Sequence, residues 1–212
     1  MRKRLLVTEQ KSMGMISISN TIGNAGKSIV DGIVRVLSAF HVNPNVITFL
    51  GFLISCGAAV AFALNYWRTA AVLLICAGLF DILDGAVARS SRTATSFGAF
   101  FDSVLDRYSD IAIFLGLLVY YSRHSDSFYI VLTSIVLMGS VMVSYTRARA
   151  ELLIPKCRVG FLERPERLVL LIIGALTHHM EAVLWVLMVL SQWTVIGRIY
   201  FTWKEFQRAK LR

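Results

Sequence analysis

The sequence predicts an all-α integral membrane protein, with six transmembrane helices preceded by an N-terminal amphipathic interfacial helix. Three observations lead to that fold class. Of the 212 residues, 56% are hydrophobic and only 3 are proline, and the mean hydropathy is +0.64, a profile of polytopic membrane chains rather than water-soluble domains. The apolar residues fall in successive runs, most of them near the ~20 residues that a helix needs to cross a bilayer. The basic residues, which give a net charge of +9, cluster at the ends of those runs. There, anionic lipid headgroups and phosphorylated substrates are better partners than nucleic acid.

Residues 1–22 open with Arg2, Lys3 and Arg4 and read as a cytoplasmic tail, with no apolar stretch and cleavage site of a signal peptide. Over residues 23–41, Ile29, Val30, Ile33, Val34, Leu37 and Phe40 recur at helical spacing opposite Lys27, Asp31, Arg35 and Ser38. This predicts a juxtamembrane helix lying in the interface plane. Pro44 opens the first span, residues 44–65, where Asn45 and Thr48 suit a helix start. Further spans are expected at 69–90, 97–121, 128–151, 164–178 and 182–203, the fifth being short. Together, 44–203 form one six-helix domain, and 204–212 a basic C-terminal tail. Cys56, Cys76 and Cys157 show no pairing or zinc spacing, and the two in apolar runs read as small core residues.

Charge orients the chain. With six spans and the N-terminus inside, the outer connections hold only Arg68 and Arg123 among Lys and Arg, while the inner side holds almost all the rest. That asymmetry follows the positive-inside rule. It predicts a multi-pass protein of the cytoplasmic membrane.

Residues 81–106, DILDGAVARSSRTATSFGAFFDSVLD, carry four carboxylates: Asp81, Asp84, Asp102 and Asp106. An ionised carboxylate near hydrocarbon costs roughly 2.5 kcal/mol or more, and four together need protons or cations. Asp81 and Asp84 are i, i+3, and Asp102 and Asp106 are i, i+4, so each pair lies on one helix face. Two such faces can close on one or two hard cations, and Mg²⁺ or Mn²⁺ suits an all-oxygen site with positions left for substrate phosphate. Gly85, Ala88 and Gly98 are small residues near these faces that permit close approach. Arg89 adds a positive charge suited to a phosphate oxygen.

The run resembles the signature of the CDP-alcohol phosphotransferases, D-x2-D-G-x2-A-R-x8-G-x3-D-x3-D, at every fixed position: Asp81, Asp84, Gly85, Ala88, Arg89, Gly98, Asp102 and Asp106. The resemblance implies attack of an alcohol on the β-phosphorus of a CDP-linked lipid, with release of CMP. It implies Asp81, Asp84, Asp102 and Asp106 as metal ligands, Asp106 also as the proton acceptor, and Mg²⁺ as cofactor, two ions, with Mn²⁺ the alternative. Pro44, Asn45, Val46, Ile47, Thr48, Gly85, Arg89 and Thr95 would contact the CDP-lipid. It also implies a homodimer.

A second constellation, Arg147, Arg149, Lys156, Arg158, Arg164 and Arg167, is joined by Arg198 within the last apolar run. Positive-inside bias accounts for Lys156 and Arg158, whereas Arg198 needs a partner. Arginines converging beside a metal site bind phosphate bidentately, so the acceptor is expected to carry its own phosphate on Arg147, Arg149, Arg164, Arg167 and Arg198. The segments RARAE and ERPERL look like the family branch that makes phosphatidylinositol phosphate or its archaeal ether-lipid counterpart. Arg147 stands there where lysine is frequent. That branch implies CDP-diacylglycerol or CDP-archaeol as donor and inositol 1-phosphate as acceptor. Phosphatidylglycerol phosphate synthesis from glycerol 3-phosphate is the alternative, and a divalent-cation channel or transporter is the alternative of another class.

Overall fold

The computed structural model describes residues 43–90, 95–154, 157 and 159–210. The expected cytoplasmic tail, the amphipathic helix at 23–41, the loop residues 91–94, Lys156 and Arg158 lie outside the described residues. Six helices and no strand make up the described chain: α1 (Pro44–Ala63), α2 (Trp67–Ser90), α3 (Ser96–Arg123), α4 (Ser127–Ala150), α5 (Arg164–Thr177) and α6 (Met180–Lys210).

Local chemistry sets most of the boundaries. Asn43 caps α1 by accepting from the Asn45 N–H, and Pro44, whose missing N–H costs nothing in a first turn, follows it. Thr95 caps α3 through Oγ1, which accepts from the Gly98 N–H at 2.9 Å. Asp126 does the same for α4 with the Tyr129 N–H. At the start of α5 the Glu163 N–H donates to Glu166 Oε2 at 3.0 Å, with Pro165 in the first turn. The last helix departs from expectation: it runs on through 204–210, so most of the supposed C-terminal tail is continuous helix.

Three tight connections, around Asn65, Ser125 and His178, each place one residue at positive φ (67°, 55° and 59°), where a non-glycine is strained but tolerated in a short turn. All three lie at one end of the bundle. Near that end Trp67 sits 5.5 Å from Phe62 and 4.7 Å from Tyr120, ring to ring, as aromatic residues do at a membrane boundary. The opposite end holds the end of α2, the start of α3, the end of α4 and the start of α5, and therefore the motif aspartates and the arginines.

Helix α1 packs against α2 and α3, α4 packs against α3 and α6, and α5 bridges α2 to α6. The core between them is apolar, with Phe62, Leu74, Phe114, Leu117, Leu171 and Leu184 buried. Outward faces are apolar as well (Leu53, Val60, Leu115 and Trp193 are exposed), which suits a hydrocarbon surround. Four helices, α1, α2, α4 and α6, are long and apolar enough to cross a membrane. Helix α3 has the length, at 28 residues, but carries Asp102, Asp106, Arg107 and Asp110. Helix α5, at 14 residues, rises only ~21 Å against a hydrocarbon core of ~30 Å.

Small residues set the helix spacing. A Cβ added at Gly116 of α3 would run into the backbone of Ala59 in α1, and one at Gly139 of α4 would meet the Ser191 side chain of α6. Because the Gly116 obstacle is backbone, neither side can yield by changing rotamer. Gly116→Leu is expected to lower the thermal midpoint of the detergent-solubilised protein by several degrees or prevent folding, in line with the ~1–3 kcal/mol or more of overpacking. An unchanged midpoint in a melting experiment would refute this close approach.

Candidate active site and metal centre

The last turns of α2 present Asp81 and Asp84, and the first turns of α3 present Asp102 and Asp106. One oxygen from each of Asp81, Asp102 and Asp106 lies within 4.8 Å of the other two, close enough to share a hard cation. Asp84 is buried one turn along, with the Thr48 side chain against its carboxylate. Asp84 Oδ2 and Asp102 Oδ1 are both buried without a hydrogen-bond partner. Buried carboxylate oxygens are costly in that state, so the donor set fits a divalent metal: all oxygen, anionic and under-satisfied.

Beside the aspartates lie the residues expected to meet a nucleotide. Arg89 folds back over Gly85, where an added Cβ would sit 3.2 Å from Nη1. Gly98 is enclosed in the same way by Thr95 Oγ1 at 3.1 Å and Asn45 Oδ1 at 3.2 Å. Asn45 of α1 and the Thr95 cap of α3 thus meet over Gly98, while Arg89 covers Gly85 on α2. Of the other α1 candidates, Pro44 starts the helix, Ile47 is buried against Val87, and Val46 points outward.

On the other side of Asp106 opens a cavity of about 420 Å³. Four of the five expected arginines line it: Arg147 from α4, Arg164 and Arg167 from α5, and Arg198 from α6. Arg149 does not; it lies on the exposed face of α4, because two residues along a helix turn a side chain away from its neighbour. Arg198 is fully buried and tethered, Nε to the Val159 carbonyl at 2.8 Å and Nη1 to the Val143 carbonyl at 2.5 Å, with Nη2 3.2 Å from Glu163. Glu163 also accepts from Arg147 Nη1 at 2.6 Å. Arg164 Nη1 reaches Asp81 at 2.5 Å and Asp106 at 2.7 Å.

Sequence reasoning missed Asp110, and it named Glu163 only within the ERPERL segment, with no role of its own. Asp110 continues the i+4 series of Asp102 and Asp106, which was the available signal. It is buried in an ion pair with Arg167, which also approaches the Ser140 carbonyl at 3.5 Å. Glu163 shows no spacing pattern, since its partners Arg147 and Arg198 come from α4 and α6.

The profile of the CDP-alcohol phosphatidyltransferase family matches residues 41–197, which takes in all four aspartates. The chain belongs to this family. It is therefore a transferase of a membrane-protein family, and the cation-channel alternative falls. An archaetidylinositol phosphate synthase of Methanothermobacter thermautotrophicus is 39% identical over 168 residues, 76% of this chain and 83% of that one. A phosphatidylinositol phosphate synthase of Mycobacterium tuberculosis is 36% identical over 186 residues, 82% of this chain and 86% of the relative. Among solved structures, the Mycobacterium tuberculosis phosphatidylinositol phosphate synthase with CDP-DAG bound superimposes with a TM-score of 0.77 at 34% identity. The match covers 83% of this chain and 94% of that one. The same enzyme in complex with manganese and citrate gives a TM-score of 0.76.

The Asp110–Arg167 pair is a lock between α3 and α5. Breaking a buried pair by removing one partner strands the other charge and costs ~3–5 kcal/mol, whereas an apolar pair of similar volume is close to neutral. Asp110→Leu alone is therefore expected to lower the thermal midpoint sharply, and Asp110→Leu with Arg167→Met to recover most of it. A double variant as unstable as the single one would show that the pair does more than hold the helices.

Proposed function

We propose that this CDP-alcohol phosphatidyltransferase moves a phosphatidyl or archaetidyl group from CDP-diacylglycerol or CDP-archaeol to inositol 1-phosphate, releasing CMP. The observation that carries this reading is the position of Asp106, which belongs both to the carboxylate cluster and to the arginine-lined cavity. A group at that border can receive a proton from an acceptor hydroxyl while the acceptor's own phosphate is held by arginines beyond it. The names and substrates of the relatives point the same way.

In this reading Asp81, Asp84, Asp102 and Asp106 hold the metal. When bound, two Mg²⁺ ions, or Mn²⁺ in their place, would supply charge neutralisation on the pyrophosphate. Asn45, Thr48, Gly85, Arg89 and Thr95 seat the cytidine diphosphate, with Pro44, Val46 and Ile47 shaping the start of α1 that presents them. Arg147, Arg164 and Arg198 hold the acceptor's phosphate as charge-assisted donors; Arg149 is left out of this set, and Arg167, sealed in its pair with Asp110, backs the cavity without leaving that partner. Asp106 takes the hydroxyl proton as the alcohol oxygen bonds to the β-phosphorus and the bond from that phosphorus to the CMP oxygen breaks. Helices α3 and α5 complete six spans, screened from lipid on their polar sides by their neighbours. The site faces the cytoplasm, and the enzyme works as a homodimer.

The test is CMP release by purified protein with a CDP-lipid and Mg²⁺, across inositol 1-phosphate, glycerol 3-phosphate, free inositol and serine. Turnover is expected with inositol 1-phosphate alone; turnover with glycerol 3-phosphate instead would move the acceptor assignment to phosphatidylglycerol phosphate synthesis. Asp84→Asn and Asp102→Asn are expected to reduce turnover by a factor on the order of 10³ or more while the protein still inserts and purifies, because each removes charge from a site worth several kcal/mol of transition-state stabilisation. Arg147→Ala is expected to raise the acceptor KM about tenfold, the scale of one charge-assisted contact, with the KM for CDP-lipid unchanged.

A further inference from the structure

Glu163 and Arg164 are neighbours in sequence, yet their side chains balance opposite charges at the two ends of the site. Arg164 Nη1 lies 2.5 Å from Asp81 and 2.7 Å from Asp106, two of the three carboxylates that cluster. Glu163 Oε1 lies 2.6 Å from Arg147 and 3.2 Å from Arg198, two of the arginines that line the cavity. A guanidinium thus stands among the aspartates and a carboxylate among the arginines. Those are the two places where the proposed reaction needs a metal ion and a phosphate.

From this juxtaposition, and resting on the function proposed above, we infer that Glu163–Arg164 is a built-in pair of stand-in ligands. Arg164 holds the cation position until metal displaces it, and Glu163 holds the anion position until the acceptor's phosphate displaces it.

Several features distinguish this from two ordinary ion pairs that merely anchor α5. The Arg164 contacts reach Asp81 and Asp106 but leave Asp102 Oδ1, the third carboxylate of the cluster, buried without a partner, so the cluster is satisfied only in part. A permanent anchor resembles Asp110–Arg167, whose side chains are 5% and 1% exposed; Glu163 and Arg147 are 44% and 42% exposed, within reach of a soluble anion. Arg198 is tied to two backbone carbonyls by its other nitrogens, so it stays in place when Glu163 leaves. Arg164 lines the cavity as well as touching the aspartates, so once displaced it has a phosphate to turn to. Because the two residues are adjacent at one helix start, loss of either contact loosens the other, and metal and acceptor are expected to favour each other's binding.

The experiment is titration of purified metal-free protein with Mn²⁺, followed by calorimetry or by the spin-resonance signal of the free ion. Removing a competing internal cation tightens metal binding, so Arg164→Gln is expected to bind Mn²⁺ about tenfold more tightly than wild type, equivalent to ~1.4 kcal/mol. Arg164→Lys, which keeps the charge but loses the fork, is expected to bind about threefold more tightly, an intermediate value, and reads the same effect if the glutamine variant does not fold. In a second arm, metal-free Glu163→Gln is expected to bind inorganic phosphate about tenfold more tightly than wild type. Mn²⁺ affinity that is unchanged or weaker in the Arg164 variants overturns the cation half. Phosphate binding that is unchanged, weaker or undetectable in both proteins overturns the anion half, since Glu163 would then be positioning the arginines. An Asp102→Asn protein that binds Mn²⁺ as well as wild type would overturn the metal-centre reading itself, a failure separate from either of these.

Discussion

Four carboxylates gathered at one end of an apolar bundle impose the charge balance that the rest of the structure answers. Ionised groups in such surroundings persist only with counter-charge close by. In the chain itself that charge comes from α5, a helix of 14 residues whose first turn carries Arg164 and Arg167. Helix α5 rises ~21 Å, about two thirds of the hydrocarbon thickness. Its apolar side packs Leu168 and Leu171 into the core, holding its charged start beside α2 and α3. The bundle end without the site needs no such device and closes with tight turns.

Polar groups cluster at this depth because the helices are close enough to shield one another. Gly116 lets α3 approach the α1 backbone, and Gly139 lets α4 approach α6. With α3 held that near to α1, the side chain of Asn45 comes within reach of Gly98. The chemistry therefore depends on steric permission granted about three to five turns away along α3.

The element pattern was largely legible in the sequence. Each expected span has a helix within a few residues of its position, since apolar runs, Pro44, Thr95 and the Asn65 and His178 turns leave local marks. The end of α6 was not: Lys204, Glu205 and Arg208 look like tail residues, but an Arg208–Glu205 pair one turn apart supports continued helix outside the apolar run. The motif aspartates were legible because their spacing is local. What the motif could not convey was who neutralises whom. The partners Asp81–Arg164, Asp110–Arg167 and Glu163–Arg198 are separated by 83, 57 and 35 residues, and such pairing is set by helix packing that no short-range pattern encodes. Arg149 shows the same limit in reverse, belonging to the basic run by composition and facing away by helical phase.

Depth decides how each of these charges behaves. Helices α3 and α5 both start at the site end and run away from it, so Asp106 and Asp110 meet Arg164 and Arg167 in the same order. Four residues on α3 rise ~6 Å and three on α5 rise ~4.5 Å, near enough for two consecutive rungs to match. The inner rung is sealed, with side chains 1% and 5% exposed, and the outer rung is partly open, at 15% and 23%. A sealed pair has no solvent to replace its partner and must remain paired for the fold to hold. A partly open pair can exchange one cation for another with solvent covering the change. The same two residue types, repeated one turn apart, thus form a fixed structural joint on the inside and an exchangeable contact at the active site.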